Sequence, residues 1–283
     1  MLILCRSSNA TKQFNCGSTT ESKCVLACRL SIRENEALRG YMSHVVPLIA
    51  DPYDRWMNAI VVSALLMMTE WCYFAAALAP LPSPSRKYYL DAVTTRKIGR
   101  CRERLDELCK RHIESSDLQV KQLHENGTVR YCETCECIRP DKSHHCTECG
   151  ICILRCDHHC VLMSSCIHQD NLKAFILYLV WGLLYSTFAF VTDFKFTYFN
   201  APEDRGPFWY TISISYLMCT QLAIWPMVIY SYLIPMNLAF RDRWHERCPF
   251  DNLGWRKNLQ RVFGPNPLLW LIPTRGAYNC KEE

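Results

Sequence analysis

Residues 132–166 hold nine of the chain's 19 cysteines and four of its nine histidines: His144, His145, His158 and His159. Thiolate and imidazole interleaved at such short spacing are zinc ligands, because a disulfide framework has no use for histidine. Cys132-x-x-Cys135 and Cys146-x-x-Cys149 form two knuckles, in which the short gap lets both sulfurs reach one ion at about 2.3 Å. Each knuckle supplies half of a four-coordinate site. His145, Cys152, His159 and Cys166 supply the other halves, so eight ligands serve two closed zinc sites. A stretch this short cannot bury a sufficient apolar core, and the metal stands in for one.

Outside those eight ligands the region still holds Cys137, His144, Cys156, Asp157, His158 and Cys160. Cys160 lies two residues after His158, which Asp157 precedes, and these are the parts of an activated thiol. The imidazole takes the thiol proton or stabilises the thiolate, and the carboxylate holds the imidazole in the needed tautomer. The competing reading makes Cys160 a spare zinc ligand and His158 a surface residue. Closed sites leave no open metal position for a zinc hydrolase. A nucleic-acid finger needs a basic stripe, whereas Glu133, Glu136, Asp141, Glu148 and Asp157 share this region with its bases.

The elements that position this region are apolar. The 283 residues are 49% hydrophobic with a net charge of +5, which excludes a disordered or acidic solvating chain. Three stretches are long enough to cross a bilayer: 58–80, with Glu70 as its only charge; 174–193, of which Ala174 to Thr192 is uncharged; and 207–240, uncharged but interrupted by Pro226 and Pro235. The stretch Leu2 to Cys5 is too short for the apolar core of a signal peptide. Arg86, Lys87, Arg96, Lys97 and Arg100 follow the first span, Arg155 and Lys173 precede the second, and Arg241, Arg243, Arg247, Arg256 and Lys257 follow the third. The connector 194–206 has only Lys195 and Arg205. Lysine and arginine resist translocation, so the cysteine-rich region 132–173 and the tail 241–283 face the cytosol and the connector faces the lumen. Residues 1–57 pull both ways: three spans put them outside, where Asn9-Ala10-Thr11 is a glycosylation sequon, yet they carry seven Lys/Arg. In the linker 81–131, Ile98, Cys101, Leu105, Leu108 and Cys109 make one apolar stripe on a charged helix lying on the cytosolic domain or the membrane. The expected fold is an α-helical integral membrane protein with a cytosolic two-zinc domain of short hairpins and loops.

Asp157-His158-His159-Cys160 within this frame resembles the DHHC-type protein S-acyltransferases, or palmitoyltransferases. The likeness continues through Arg139-Pro140, His144-His145-Cys146, Cys166, Asn171 and Phe175, and into the tail segment CPFDNLGWRKNLQRVFG that ends at Gly264. The resemblance covers roughly residues 58 to 272. It implies that Cys132, Cys135, His145 and Cys152 hold one zinc, and Cys146, Cys149, His159 and Cys166 the other. It also implies Cys160 as nucleophile, His158 as its base and Asp157 as the residue orienting His158. The implied reaction takes a fatty acyl group from palmitoyl-CoA or a related acyl-CoA onto Cys160 as a thioester, then passes it to a cytosolic cysteine of a membrane-associated protein. Arg130, Arg139, Lys142 and His144 are the residues expected to meet the CoA phosphates. The implied partners are acyl-CoA, protein substrates and the bilayer, with no nucleic acid, and the implied membrane is that of the Golgi or endoplasmic reticulum.

The chain departs from the family pattern in named places. Val161-Leu162 stands where the family has Pro-Trp, Ser165 and His168 replace an Asn and a Gly, and Ala239-Phe240-Arg241-Asp242 replaces Thr-Thr-x-Glu. Three spans are visible where the family usually has at least four, so one amino-terminal span is missing, replaced, or too weakly apolar to read between Tyr41 and Ala50. These departures are the argument for an alternative, a zinc-stabilised membrane scaffold with weak or no catalysis. The intact Asp-His-His-Cys run is the argument for the enzyme.

Overall fold

The computed structural model describes residues 35–91, 102–124, 126–200, 208–239 and 253–274. The sequon at Asn9, the basic cluster Arg96–Arg100, Ile98 and Cys101 of the amphipathic stripe, Arg205, and Phe240 with Arg241, Asp242, Arg243 and Arg247 lie outside these residues.

A helix over 35–44 (α1) is followed by a 3-10 turn, Val46–Leu48, and by α2, Pro52–Ala77. Asp51 caps α2 by accepting the Asp54 N–H at 2.9 Å, and Pro52 fills the first helical position, where no intrahelical N–H is needed. The other long helices are α4, Leu172–Asn200, and α5, Phe208–Leu233, with α3 defined below; α4 packs against both α2 and α5. Pro52–Ala77, Leu172–Thr197 and Ser213–Leu233 are each long and apolar enough to cross a bilayer.

The helix ends differ from the expected span bounds, most at the start of α2, at the end of α4, and at the end of α5, which stops at Leu233, seven residues short of 240. α2 starts six residues before position 58, because the Asp51 cap and Pro52 set its first turn ahead of the uncharged run. α4 runs on through 194–200, part of the stretch expected as a loop, because its charge is accommodated: Asp193 is fully buried and accepts hydrogen bonds from Thr197 Oγ1 at 3.0 Å and from Ser213 Oγ. At the same end of the bundle α1 and the 3-10 turn pack beside the spans. Tyr41 is buried among Val62, Leu66, Tyr185, Ala189 and Tyr216, and its hydroxyl donates to Asn58 Oδ1 at 2.8 Å and lies 2.6 Å from Thr192 Oγ1. These residues precede the first expected span, in the region 1–57 whose side the sequence leaves open.

The cysteine-rich domain at the opposite end consists of three antiparallel hairpins: β1 (Tyr131–Cys132) with β2 (Cys137–Ile138), β3 (His144–Cys146) with β4 (Ile151–Ile153), and β5 (Cys156–Cys160) with β6 (Ser165–His168). The amphipathic helix of the linker, α3 (Arg102–Ser115), lies on the first hairpin. Leu105, Leu108 and Cys109 pack with Tyr88, Val129 and Ile138, and Asp106 Oδ1 accepts the Val129 N–H at 2.7 Å. Burial pushes the Cys109 thiol up to about 12, so Cys109 is a packing residue and not a reactive one.

Asn171 joins the domain to the bundle. Its amide donates to the carbonyls of Ala76, at the end of α2, and of Cys166, on β6, both at 3.0 Å, while its carbonyl accepts the His168 N–H at 2.7 Å. One apolar cluster then runs without a break from the hairpin residues Cys160, Met163 and Ile167 to Tyr73 and Ala76 of α2, Phe175 and Leu179 of α4, and Tyr230 and Leu233 of α5. The short helix α6, Trp255–Phe263, adds Val262 to it and is bounded by Gly254 and Gly264 at φ 88° and 95°, a backbone that residues with a Cβ rarely adopt. Asn258 of α6 donates to the Pro235 carbonyl at 2.7 Å, just past the end of α5.

Candidate functional site

The eight Cys and His residues form two groups, Cys132, Cys135, His145 and Cys152, and Cys146, Cys149, His159 and Cys166, with the ligand atoms of each within 4.8 Å of one another. In the first, His145 Nδ1 lies 3.5, 3.3 and 3.9 Å from the sulfurs of Cys132, Cys135 and Cys152. In the second, His159 Nδ1 lies 3.4, 3.5 and 3.6 Å from those of Cys146, Cys149 and Cys166, and the Cys149 and Cys166 sulfurs are 3.7 Å apart. A tetrahedral zinc with bonds of about 2.3 Å to sulfur and 2.0–2.1 Å to nitrogen spaces its ligands by roughly 3.8 Å (S to S) and 3.6 Å (S to N), so both groups fit the ion. The knuckles add a feature that spacing does not reveal. The N–H of Cys135 points at the Cys132 sulfur and that of Cys149 at Cys146, each at 3.4 Å, which stabilises thiolate charge. The turn after each knuckle passes through a left-handed residue, Glu136 and Gly150.

Strand geometry then separates metal from chemistry. His158, His159 and Cys160 are consecutive on β5, and successive side chains alternate between faces. His159 faces the second metal group, and His158 and Cys160 share the opposite face. Asp157 would fall on the metal face by the same rule, but the register shifts between Cys156 and His158, which lets it turn toward His158. His158 Nδ1 donates to Asp157 Oδ2 at 2.7 Å, leaving Nε2 as the nitrogen for the thiol. Phe175 of α4 stands edge-on to the His158 ring with centroids 5.4 Å apart. Cys160 ends the strand at the hairpin tip and is buried, with the apolar side chains of Val161 and Leu162 exposed beside it.

The electrostatics follow from this packing. Burial alone pushes the Cys160 thiol up, but the His158 hydrogen bond, the N–H groups of Met163 and Leu162 and the nearby His158 charge outweigh it, and the net shift is down. Burial alone pushes His158 down, but hydrogen bonds and charge from Asp157 and Cys160 carry it up to about 9. His158 is therefore protonated at neutral pH, and its charge and hydrogen bond favour the thiolate form of Cys160.

The four expected CoA contacts are not equivalent. Arg130 is 1% exposed, with its guanidinium donating to Gln122 Oε1 and, at 2.7 Å, to the Ser143 carbonyl. It therefore holds two loops together from a buried position. His144 is buried on β3, and Arg139 is half-buried beside the first hairpin. Lys142 borders a small cavity of about 60 Å³ behind Asp157, together with Arg155, Tyr230 and Ala239. Arg155, named in the sequence as a charge preceding the second span, is not among the expected CoA contacts. Tyr230 was missed as well: it lies in a different span, and its hydroxyl donates to Asp157 Oδ2.

Comparison with known proteins follows the same line. The model of the DHHC palmitoyltransferase family matches residues 125–244. Palmitoyltransferase ZDHHC15 of Xenopus laevis is 28% identical over 239 residues, covering 80% of this chain and 70% of that protein. Palmitoyltransferase ZDHHC2 of Danio rerio is 28% identical over 254 residues, covering 83% and 69%, and Palmitoyltransferase ZDHHC15 of Homo sapiens is 27% identical over 257 residues, covering 83% and 75%.

Proposed function

Since this chain is a divergent member of the DHHC palmitoyltransferase family, we propose that it moves a fatty acyl group from palmitoyl-CoA through a Cys160 thioester to cysteines of membrane-associated proteins. The observation that carries the reading is the Asp157–His158–Cys160 alignment on the face of β5 opposite the zinc ligand His159. The two zinc ions are structural: with all four positions of each site filled by protein, the metal fixes the hairpins that present this face.

Acyl transfer takes two steps. The Cys160 thiolate attacks the thioester carbonyl of palmitoyl-CoA, the tetrahedral adduct collapses, and the departing CoA thiolate takes the proton held by His158. Neutral His158 then accepts the proton of an acceptor cysteine, whose sulfur attacks the acyl-enzyme. Collapse expels Cys160 as thiolate and restores the ion pair. The apolar residues clustered around Cys160, including Tyr73, Ala76, Phe175 and Leu179, receive the first carbons of the acyl chain. Lys142 and Arg155 are the cations proposed to face the polar CoA portion. The membrane is proposed to be that of the Golgi or endoplasmic reticulum, the location that the resemblance implies. Against the inert-scaffold alternative, which rests on the departures at Val161-Leu162 and Ala239-Phe240, stands the alignment of Asp157, His158 and Cys160.

The test is reconstitution with palmitoyl-CoA and a membrane-tethered acceptor, followed by detection of palmitate on the acceptor cysteine. The same assay reports pH dependence. His158 is charged below its value of about 9 and neutral above it. Single-turnover acylation of Cys160 is therefore expected to fall as pH passes through about 9, where CoA loses its proton donor. A rate that climbs steadily to about pH 10, as for an ordinary thiol, contradicts the ion pair.

A further inference from the structure

Asp157 is the member of the site least held by its own strand. The register shift that frees it from the metal face also takes it out of the β5–β6 ladder, so the backbone alone does not aim its carboxylate. Tyr230 supplies the missing anchor. It sits in the last turn of α5, 5% exposed, and its hydroxyl donates to Asp157 Oδ2, the same oxygen that holds His158 Nδ1. The hydroxyl also lies 3.3 Å from Nδ1. Phe175 braces both rings edge-on, with centroids 5.4 Å from His158 and 5.8 Å from Tyr230. Ala239, which borders the same cavity, carries no side-chain donor that could take this place.

We infer that Tyr230 is a positioning residue for the acyl-transfer reaction: a donor carried by a membrane span that fixes the Asp157 carboxylate and, through it, the aim of His158 at Cys160. The inference rests on the acyltransferase reading above. Tyr230 touches neither the acyl group nor the thiol, so its effect passes through Asp157. With the hydroxyl removed, the carboxylate keeps its charge but loses one of the donors that define its rotamer. The imidazole then spends less time in line with the sulfur. A hydrogen bond to a charged group is worth enough to change a rate by roughly ten- to a hundredfold.

The experiment is Tyr230→Phe in the full-length, zinc-loaded protein in lipid nanodiscs, with single-turnover acylation by palmitoyl-CoA. The expected result is an acylation rate lower by roughly ten- to a hundredfold, with unchanged zinc content, unchanged final amount of acyl-enzyme and unchanged half-saturation by palmitoyl-CoA. In an Asp157→Ala background the same substitution is expected to change the rate by less than about twofold, because the residue through which Tyr230 acts is gone. An unchanged rate in Tyr230→Phe overturns the inference, as do losses that multiply in the double variant. Lost zinc or a smaller acyl-enzyme yield at an unchanged rate also overturns it, since that is the signature of a purely structural tyrosine. If the wild-type protein forms no acyl-enzyme, the acyltransferase reading fails and this inference falls with it. If the wild type reacts and Tyr230→Phe matches it, only the inference on Tyr230 fails.

Discussion

Replacing His159 by alanine is expected to lower the zinc content from two ions to one and to unfold the third hairpin with the junction it makes to the spans. His159 Nδ1 is the common neighbour of three sulfurs, at 3.4, 3.5 and 3.6 Å, so its loss opens the second site on one side. A structural zinc contributes about 10–16 kcal/mol to the folding of a small domain, and a site short of one ligand forfeits a large part of that. The hairpin cannot make up the loss, because Cys166 belongs only to a small cluster with Cys146, Ile153 and Cys156, and Ile167 reaches the cluster shared with the spans only through the fold of β5 and β6. Metal analysis of purified His159→Ala, together with protease resistance of residues 144–168, checks the expectation. Two retained ions and an intact domain contradict it.

Replacing the preceding residue has the opposite outcome. His158→Ala is expected to keep both zinc ions and the fold, because His158 lies on the other face of β5, yet to slow acylation of Cys160 by roughly 10²-fold or more. Two effects combine. The thiolate loses the charge that pulls its pKa down against burial, and the departing CoA loses its proton source. The removed ring also leaves a cavity beside Phe175, a modest cost in stability next to the kinetic loss. Single-turnover labelling at equal zinc content separates the two substitutions. Equal losses of zinc in both variants contradict the division of the strand into a metal face and a reactive face.

How much of this site the sequence reveals depends on how local each contact is. The knuckles are legible because two intervening residues leave little freedom in where two sulfurs point, and the structure gathers the same eight residues into two groups. The roles of His158 and His159 separate once β5 is known to be a strand, since alternation is a local rule. Asp157 is harder, because its direction comes from a register shift that depends on the pairing with β6. Tyr230 is illegible by spacing, since only the docking of the zinc domain on the end of α5 brings its hydroxyl to the carboxylate. Arg130 shows the converse: a sequence displays its charge but not its burial, and here the guanidinium braces Gln122 and the Ser143 carbonyl from inside the domain. The spans were found by their length and lack of charge, whereas the continuation of α4 past Asp193 depends on hydroxyl partners from α4 and α5 that hydropathy does not register.

The central claim is that Cys160 carries the acyl group, and the most direct measurement is the chemical identity of the label on that residue. Purified, zinc-loaded protein in nanodiscs is incubated with palmitoyl-CoA bearing a labelled acyl chain, digested, and analysed by mass spectrometry with and without neutral hydroxylamine. The predicted result is palmitate on the peptide containing Cys160, released by hydroxylamine as a thioester is, and absent from Cys160→Ser, which still binds two zinc ions because Cys160 belongs to neither metal group. Wild-type protein that holds both zinc ions yet carries no hydroxylamine-sensitive palmitate on Cys160 would contradict the account.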